Sequence, residues 1–341
     1  MHSIIFLIMV TVLKSAVFGC PSACTCHHGT PSIICESKGL STVPAGIPSS
    51  TTHLHLSRNQ ITTLAANSFQ GLPALQTLDL SGNHITALPE YLFQDLTKLE
   101  QLHLSRNQIT TLAANVFQGL PALQLLNLQL NKIAMLDENL FKGLNALRGL
   151  YLSYNQIKVL NTNVFKGLTD LQYLDLIVNN ITTLGENVFN DLTAVTHLFL
   201  MYNQITSIGA NAFKGLTALQ ILLLLHNKIT TIDANAFEGL TALQNLSLSG
   251  NPLNCTNCEM KHLQLYLQSQ AFGNAGAMCD GIMIVDFVFT NCTDVLEKTT
   301  KTTTRLTTSV TRTSQDLTSK SSTNLQRLTE PLLMILLTLL L

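Results

Sequence analysis

His55, Asp79 and His103 stand 24 residues apart in the chain. Two imidazoles flanking a carboxylate could hold a divalent metal or respond to mildly acidic pH. The plainer reading is a solvated polar face, the commoner fate of such residues. Nothing else resembles catalytic machinery: the chain has no G-x-S-x-G, H-E-x-x-H or P-loop sequence. No enzymatic activity, resident metal or cofactor is therefore expected. The other reactive groups are eight cysteines, with Cys20, Cys24, Cys26 and Cys35 near one end, Cys255, Cys258, Cys279 and Cys292 near the other, and none between. Their C-x-C and C-x-x-C pairs can bind zinc, but even sets at both ends of a secreted chain read as disulfide frameworks. Four cysteines allow three pairings at each end, and spacing does not choose among them.

The interval of 24 belongs to the whole chain. Asn59, Asn83, Asn107, Asn131, Asn155, Asn179, Asn203, Asn227 and Asn251 recur at that period. Around them runs the phrase L-x-x-L-x-L-x-x-N-x-I, as from Leu75 to Ile85, with Thr51, Val195 and Leu253 its departures at those framework positions. A fixed period between about 20 and 30 built on this phrase is the leucine-rich-repeat signature. It predicts an α/β leucine-rich-repeat solenoid: a horseshoe with a parallel concave β-sheet and disulfide-stapled N- and C-terminal caps. The L-x-L core alternates, so Leu78 and Leu80 face inward while Thr77, Asp79 and Ser81 face out. A buried asparagine can bond backbone groups of its own and neighbouring turns, which no leucine can do. Eight of the 14 phenylalanines, Phe69 through Phe237 at steps of 24, form a second column and predict a stacked spine. The return segments are rich in Gly and Asn and predict loops with short helical turns. Residues 54–77 and 102–125 are nearly identical in text, which suggests module duplication.

Around this array, composition marks further segments. Residues 1–19 read as a secretory signal, with an apolar run from Ile4 to Leu13 and small residues before Cys20. Caps are expected over 20–50 and 251–296, flanking repeats over 51–250. Residues 297–322 form a Thr/Ser-rich stalk, and 323–341 end in an apolar stretch too short to cross a bilayer. Small residues before a polar spacer fit a glycosylphosphatidylinositol (GPI)-anchor signal with attachment at Ser321 or Ser322, which would make the plasma membrane a partner. A net charge of −1 argues against a nucleic-acid partner. Sequons occur at Asn180, Asn245, Asn254 and Asn291. Asn180, Asn245 and Asn291 are the expected glycosylation sites.

Framework residues are committed to folding, so recognition must use the third, fifth, seventh and eighth residues of each phrase. On the middle and later rungs these include Tyr151, Tyr154, Tyr173, Asp175, Ile177, His197, Phe199, Met201, Tyr202, Leu223 and Leu225. Four of the six tyrosines fall in this one patch. Tyr and Met are enriched at interface centres because they give large contact area at small entropic cost. The patch is the expected ligand-binding site, and it could also take a second copy of the chain.

The whole chain resembles the variable lymphocyte receptors of jawless vertebrates and similar receptors of other chordates. The stretch from Cys20 to Cys35, with Lys38-Gly-Leu40, Val43-Pro44 and Gly46-Ile-Pro48, is similar to that family's N-terminal cap. Gly250-Asn251-Pro252-Leu253-Asn254-Cys255 is similar to the opening of its C-terminal cap. The resemblance implies pairings Cys20–Cys26, Cys24–Cys35, Cys255–Cys279 and Cys258–Cys292. It also implies recognition of a microbial, protein or glycan antigen on the concave face, at a lipid-anchored cell surface. Leu253 stands where the family commonly has tryptophan, so a germline-encoded receptor fits equally well. An adhesion or guidance protein binding another surface protein is the alternative from a different class.

Overall fold

The computed structural model describes residues 19–26, 31–256, 258, 260–270 and 275–290. Strand β1 (Thr25–Cys26) pairs antiparallel with β2 (Ser32–Ile34), and β2 pairs parallel with β3 (His53–His55). From there the main chain delivers one short parallel strand per turn: β4 (Thr77–Asp79), β5 (Gln101–His103), β6 (Leu125–Asn127) and β7 (Gly149–Tyr151). The series continues with β8 (Tyr173–Asp175) and β9 (His197–Phe199). Of the next strands, β10 (Ser207–Ile208) pairs with β12 (Thr231–Ile232) in a small separate sheet, while β11 (Ile221–Leu223) and β13 (Asn245–Ser247) complete the main one. That sheet has eleven strands, two from the N-terminal cap and nine from the repeats. At the spacing of parallel strands the nine rungs form a face about 40 Å long.

The register is constant. Leu54 pairs with Leu78, Leu78 with Leu102, and so on to Leu246, so equivalent residues form columns across the sheet. One turn cannot bury its leucines alone, and stacking supplies the missing wall. Leu78, Leu80 and their equivalents are fully buried in one continuous core.

The asparagine column works as its chemistry suggests. Asn83 donates from Nδ2 to the carbonyl oxygens of Leu56 at 2.9 Å and Leu80 at 3.0 Å, and its Oδ1 accepts from the Ile61 amide at 3.0 Å. The same three bonds recur around Asn107, Asn131, Asn155, Asn179, Asn203 and Asn227. On the return side the phenylalanine rings stack from Phe69 to Phe237 with centroids 5.9–6.4 Å apart. The return segments are turns, and no α-helix interrupts the described array.

A further column is defined by backbone conformation rather than by residue type. The residue before each asparagine is left-handed: Arg58, Arg106, Leu130, Tyr154, Val178, Tyr202 and His226 all have φ between 50° and 57°. The same place holds glycine at Gly82 and Gly250. The chain must reverse direction there, and the rigid bonding of the following asparagine imposes the turn on any side chain. Outside glycine and asparagine this conformation costs about 1–2 kcal/mol per residue.

Both ends are closed by disulfides. Cys20 is bonded to Cys26, Cys24 to Cys35, and Cys255 to Cys279. Cys258 is also disulfide-bonded. Cys292, its expected partner, lies outside the described residues, as do the leader through residue 18, Asn291, the stalk, and Ser321 and Ser322. In the C-terminal cap, helix α1 (Met260–Ser269) buries Met260, Leu263 and Leu267 against the last turn. Tyr266 on this helix stacks on Phe237 at 5.4 Å and so extends the ring column. The amide of Leu248, just beyond the last repeat strand, donates to Ala275 at 2.7 Å, which satisfies part of an otherwise open sheet edge. Two short antiparallel strands, β14 (Met278–Cys279) and β15 (Ile282–Met283), and a 3-10 turn at Ile284–Asp286 complete the described cap. Among the described residues, no helix is long and apolar enough to cross a membrane.

Candidate functional site

The third and fifth residues of each phrase leave the strands on the concave side. Tyr173 and Asp175 project from β8, Tyr151 from β7, and His197 and Phe199 from β9. Register places Tyr173 beside His197, while Asp175 lies between Tyr151 and Phe199. The Tyr173 and His197 rings stack with centroids 4.5 Å apart, and the edge of Phe199 meets His197 at 6.0 Å. A second pair, Tyr202 on His226 at 4.7 Å, lies on the left-handed column. Both tyrosines remain open to solvent, Tyr173 at 40% and Tyr202 at 43%. Tyr151, Tyr154, Ile177, His197, Phe199, Leu223 and Leu225 are half-buried. The expected patch is thus assembled on one face of adjacent rungs.

Two of its members differ from expectation in exposure. Asp175 and Met201 are each only 6% exposed. The seventh column is uneven: Ser57, Gln129, Ser153 and Met201 are buried there, while Ser81, Ser105, Ile177, Leu225 and Ser249 stay half-buried. Amides of the next residues still pair across rungs at this level, as Arg106 does with Gln129 at 2.9 Å, so the backbone continues the sheet's pairing and side chains shelter under neighbouring columns.

Asp175 owes its burial to this shelter. Its Oδ2 accepts from Ser153 Oγ at 2.7 Å and from Gln129 Nε2 at 2.8 Å, and Oδ1 accepts from the Ile177 amide at 3.0 Å. Gln129 Nε2 also donates to Ser153 Oγ at 2.7 Å, so three rungs share one polar network. Burial pushes the Asp175 carboxyl above its ordinary range, against the pull of its hydrogen bonds to Ser153, Ile177 and Gln129. Burial likewise raises the Tyr151 phenol, with Asp175 and Tyr173 adding to the effect. Gly149 leaves the room in which that ring lies. A Cβ at Gly149 would meet Tyr151 Cε2 at 2.9 Å, so the ring occupies space a side chain would need. Gln129, Ser153, Gly149 and His226 contribute to the site although composition singled out none of them; their constant place in the repeat beside Asp175, Tyr151 and Tyr202 was the available signal.

The histidine–carboxylate column forms in register, His55 beside Asp79 and Asp79 beside His103. Asp79 instead accepts from the amide of Ser81 at 2.9 Å and from its hydroxyl at 2.6 Å. Burial lowers the His103 imidazole, partly opposed by Asp79, with His55 lowering it further. Among the described residues no group of three His, Cys, Asp or Glu side chains is placed to hold a metal ion. Of the sequons, Asn180 and Asn254 are exposed and Asn245 is half-buried on β13.

A solenoid whose variable columns gather on one broad face of a parallel sheet is the architecture of leucine-rich-repeat chains. The chain belongs to the leucine-rich repeat family, whose model matches residues 38–85, 75–133, 126–180, 160–205 and 195–253. Vasorin of Mus musculus is 42% identical over 77 residues, covering 23% of this chain and 11% of the relative. Human reticulon-4 receptor-like 2 is 35% identical over 96 residues, covering 28% of this chain and 22% of the relative. The matches thus span only a minor part of these relatives. Among solved structures, a chain from the octameric complex of latrophilin 3, Unc5D and the leucine-rich-repeat protein FLRT2 superposes with TM-score 0.55 at 25% identity. That match covers 80% of this chain and 100% of the other. A chain from the Drosophila Toll–Spatzle complex superposes with TM-score 0.60 at 25% identity, covering 70% and 32%.

Proposed function

We propose that this chain is a cell-surface recognition receptor that binds an antigen or microbial ligand through the concave face of its repeats, without catalysis. The observation that carries the reading is the half-open aromatic patch on the central rungs, where Tyr173 and Tyr202 are each presented by a stacked histidine. Rings held rigid before contact lose little entropy on binding, which favours them as interface anchors. Disulfides at both ends fit an oxidising compartment. On this reading residues 1–19 are a leader, 297–322 a stalk and 323–341 a lipid-anchor signal, with glycans at Asn180, Asn245 and Asn291.

The second reading is a cell-adhesion or guidance protein that binds another surface protein or a second copy of itself. It is supported by relatives named as receptor-like and receptor-interacting proteins and by the similarity to a chain of a multiprotein complex. The test is binding of the full-length chain, produced in cultured animal cells, to bacterial surfaces, envelope glycolipids, cell-surface proteins and itself. A control carries Tyr154→Ala, Tyr173→Ala and Tyr202→Ala. Microbial binding lost in the control supports the first reading. Protein or self-binding lost in the same control moves the assignment to adhesion, and binding that survives places the site on another face.

A further inference from the structure

We propose that Asp175, with Tyr151 and Phe199 on the flanking strands and Tyr173 two residues before it on the same face, forms a subsite for an arginine side chain presented by a protein ligand. The proposal rests on the concave face being the binding surface. The carboxylate's partners are Gln129, Ser153 and the Ile177 amide, all neutral, so its charge is hydrogen-bonded without being paired. A buried charge left in that state is costly, and a cation arriving from outside relieves the cost. A carboxylate offers about four acceptor positions. Two bonds fall on Oδ2 and one on Oδ1, so Oδ1 is the oxygen with fewer partners.

The surroundings suit a guanidinium in particular. Tyr151 and Phe199 are the register neighbours of Asp175, so aromatic residues stand on both sides of the carboxylate. A planar, weakly hydrated cation gains from aromatic faces and from a carboxylate together, where a compact ammonium gains less. The space left by Gly149 takes the Tyr151 ring, and the Tyr173 ring is held by its stack on His197. The Tyr173 wall is therefore set before a ligand arrives.

The test uses a heptapeptide with one central arginine and its citrulline counterpart, each biotinylated and displayed in multiple copies on streptavidin. Citrulline keeps the shape and removes the charge. The full-length chain should retain the arginine peptide at least ~10-fold better than the citrulline peptide, as expected for a charge-assisted bond. Asp175→Asn should abolish that preference and Phe199→Leu should reduce it, whereas Asp79→Asn should leave it intact. If Asp175→Asn is not secreted, Phe199→Leu alone decides. No preference in the parent chain, or an unchanged preference in the Asp175→Asn and Phe199→Leu variants, overturns the subsite. Loss of ligand binding in the triple tyrosine control without any arginine preference would leave the concave reading standing and remove only this inference.

Discussion

Asn131 donates from Nδ2 to the carbonyl oxygen of Leu104, 3.0 Å away and one rung earlier. It also donates to Leu128 at 3.1 Å and accepts from the Ile109 amide at 3.0 Å. Each group it satisfies is buried, so none can turn to water when the side chain is removed. Asn131→Leu should therefore destabilise the fold by about 3 kcal/mol or more, since each orphaned buried group costs about 1–3 kcal/mol. Asn131→Asp keeps the size, loses both donors and adds a charge, and should be worse. Urea denaturation of both variants checks the order.

The left-handed column makes the opposite kind of prediction. Val178 is β-branched and holds φ at 50°. Asparagine tolerates that conformation far better. Val178→Asn should raise stability by about 1 kcal/mol, read as an upward shift in the thermal midpoint. A neutral or lower midpoint would mean the valine's packing outweighs its backbone strain.

Asp175 gives a pH dependence with a definite sign. Its folded carboxyl lies above the ordinary range, so the folded chain holds this proton more tightly than the unfolded one. The resulting stabilisation is complete below the ordinary carboxylate range and is lost as pH rises through the raised value. The stability of the parent relative to Asp175→Asn should fall across that interval and stay constant above it. Denaturation midpoints measured at a series of pH values test the slope.

The cap disulfide offers a fourth check. Cys255 and Cys279 close a loop with a sequence separation of 24. Replacing both by serine should cost about 2–4 kcal/mol. Hydrogen exchange should show the loss first in α1 and the last rungs, because in a solenoid each unit leans only on its neighbours.

Much of this fold is legible in the sequence because one period writes every framework residue into a column. The roles of Asn83 and Phe93 follow from position alone. What the text hides is whatever depends on adjacent rungs at once. Ser153 looks like a surface residue until Gln129 and Asp175 close over it from the flanking turns. Met201 alternates as if exposed but lies buried, since alternation describes a strand and the seventh position is already beyond it. The backbone reversal at Tyr154 and Val178 carries no compositional mark either, because neither residue type prefers it. Likewise Gly149 reads as a weak strand residue until the Tyr151 ring is seen to occupy its space.

The stack of Tyr266 on Phe237 joins the cap to the array through the same ring contact that joins one turn to the next. The mating edge of the cap is thus generic: it recognises a phenylalanine and an open strand, not a particular rung. A copied turn of 24 residues inserted anywhere inside the array would present unchanged edges to both caps. The length of the concave face is consequently open to change by gene duplication, independently of the residues that line it.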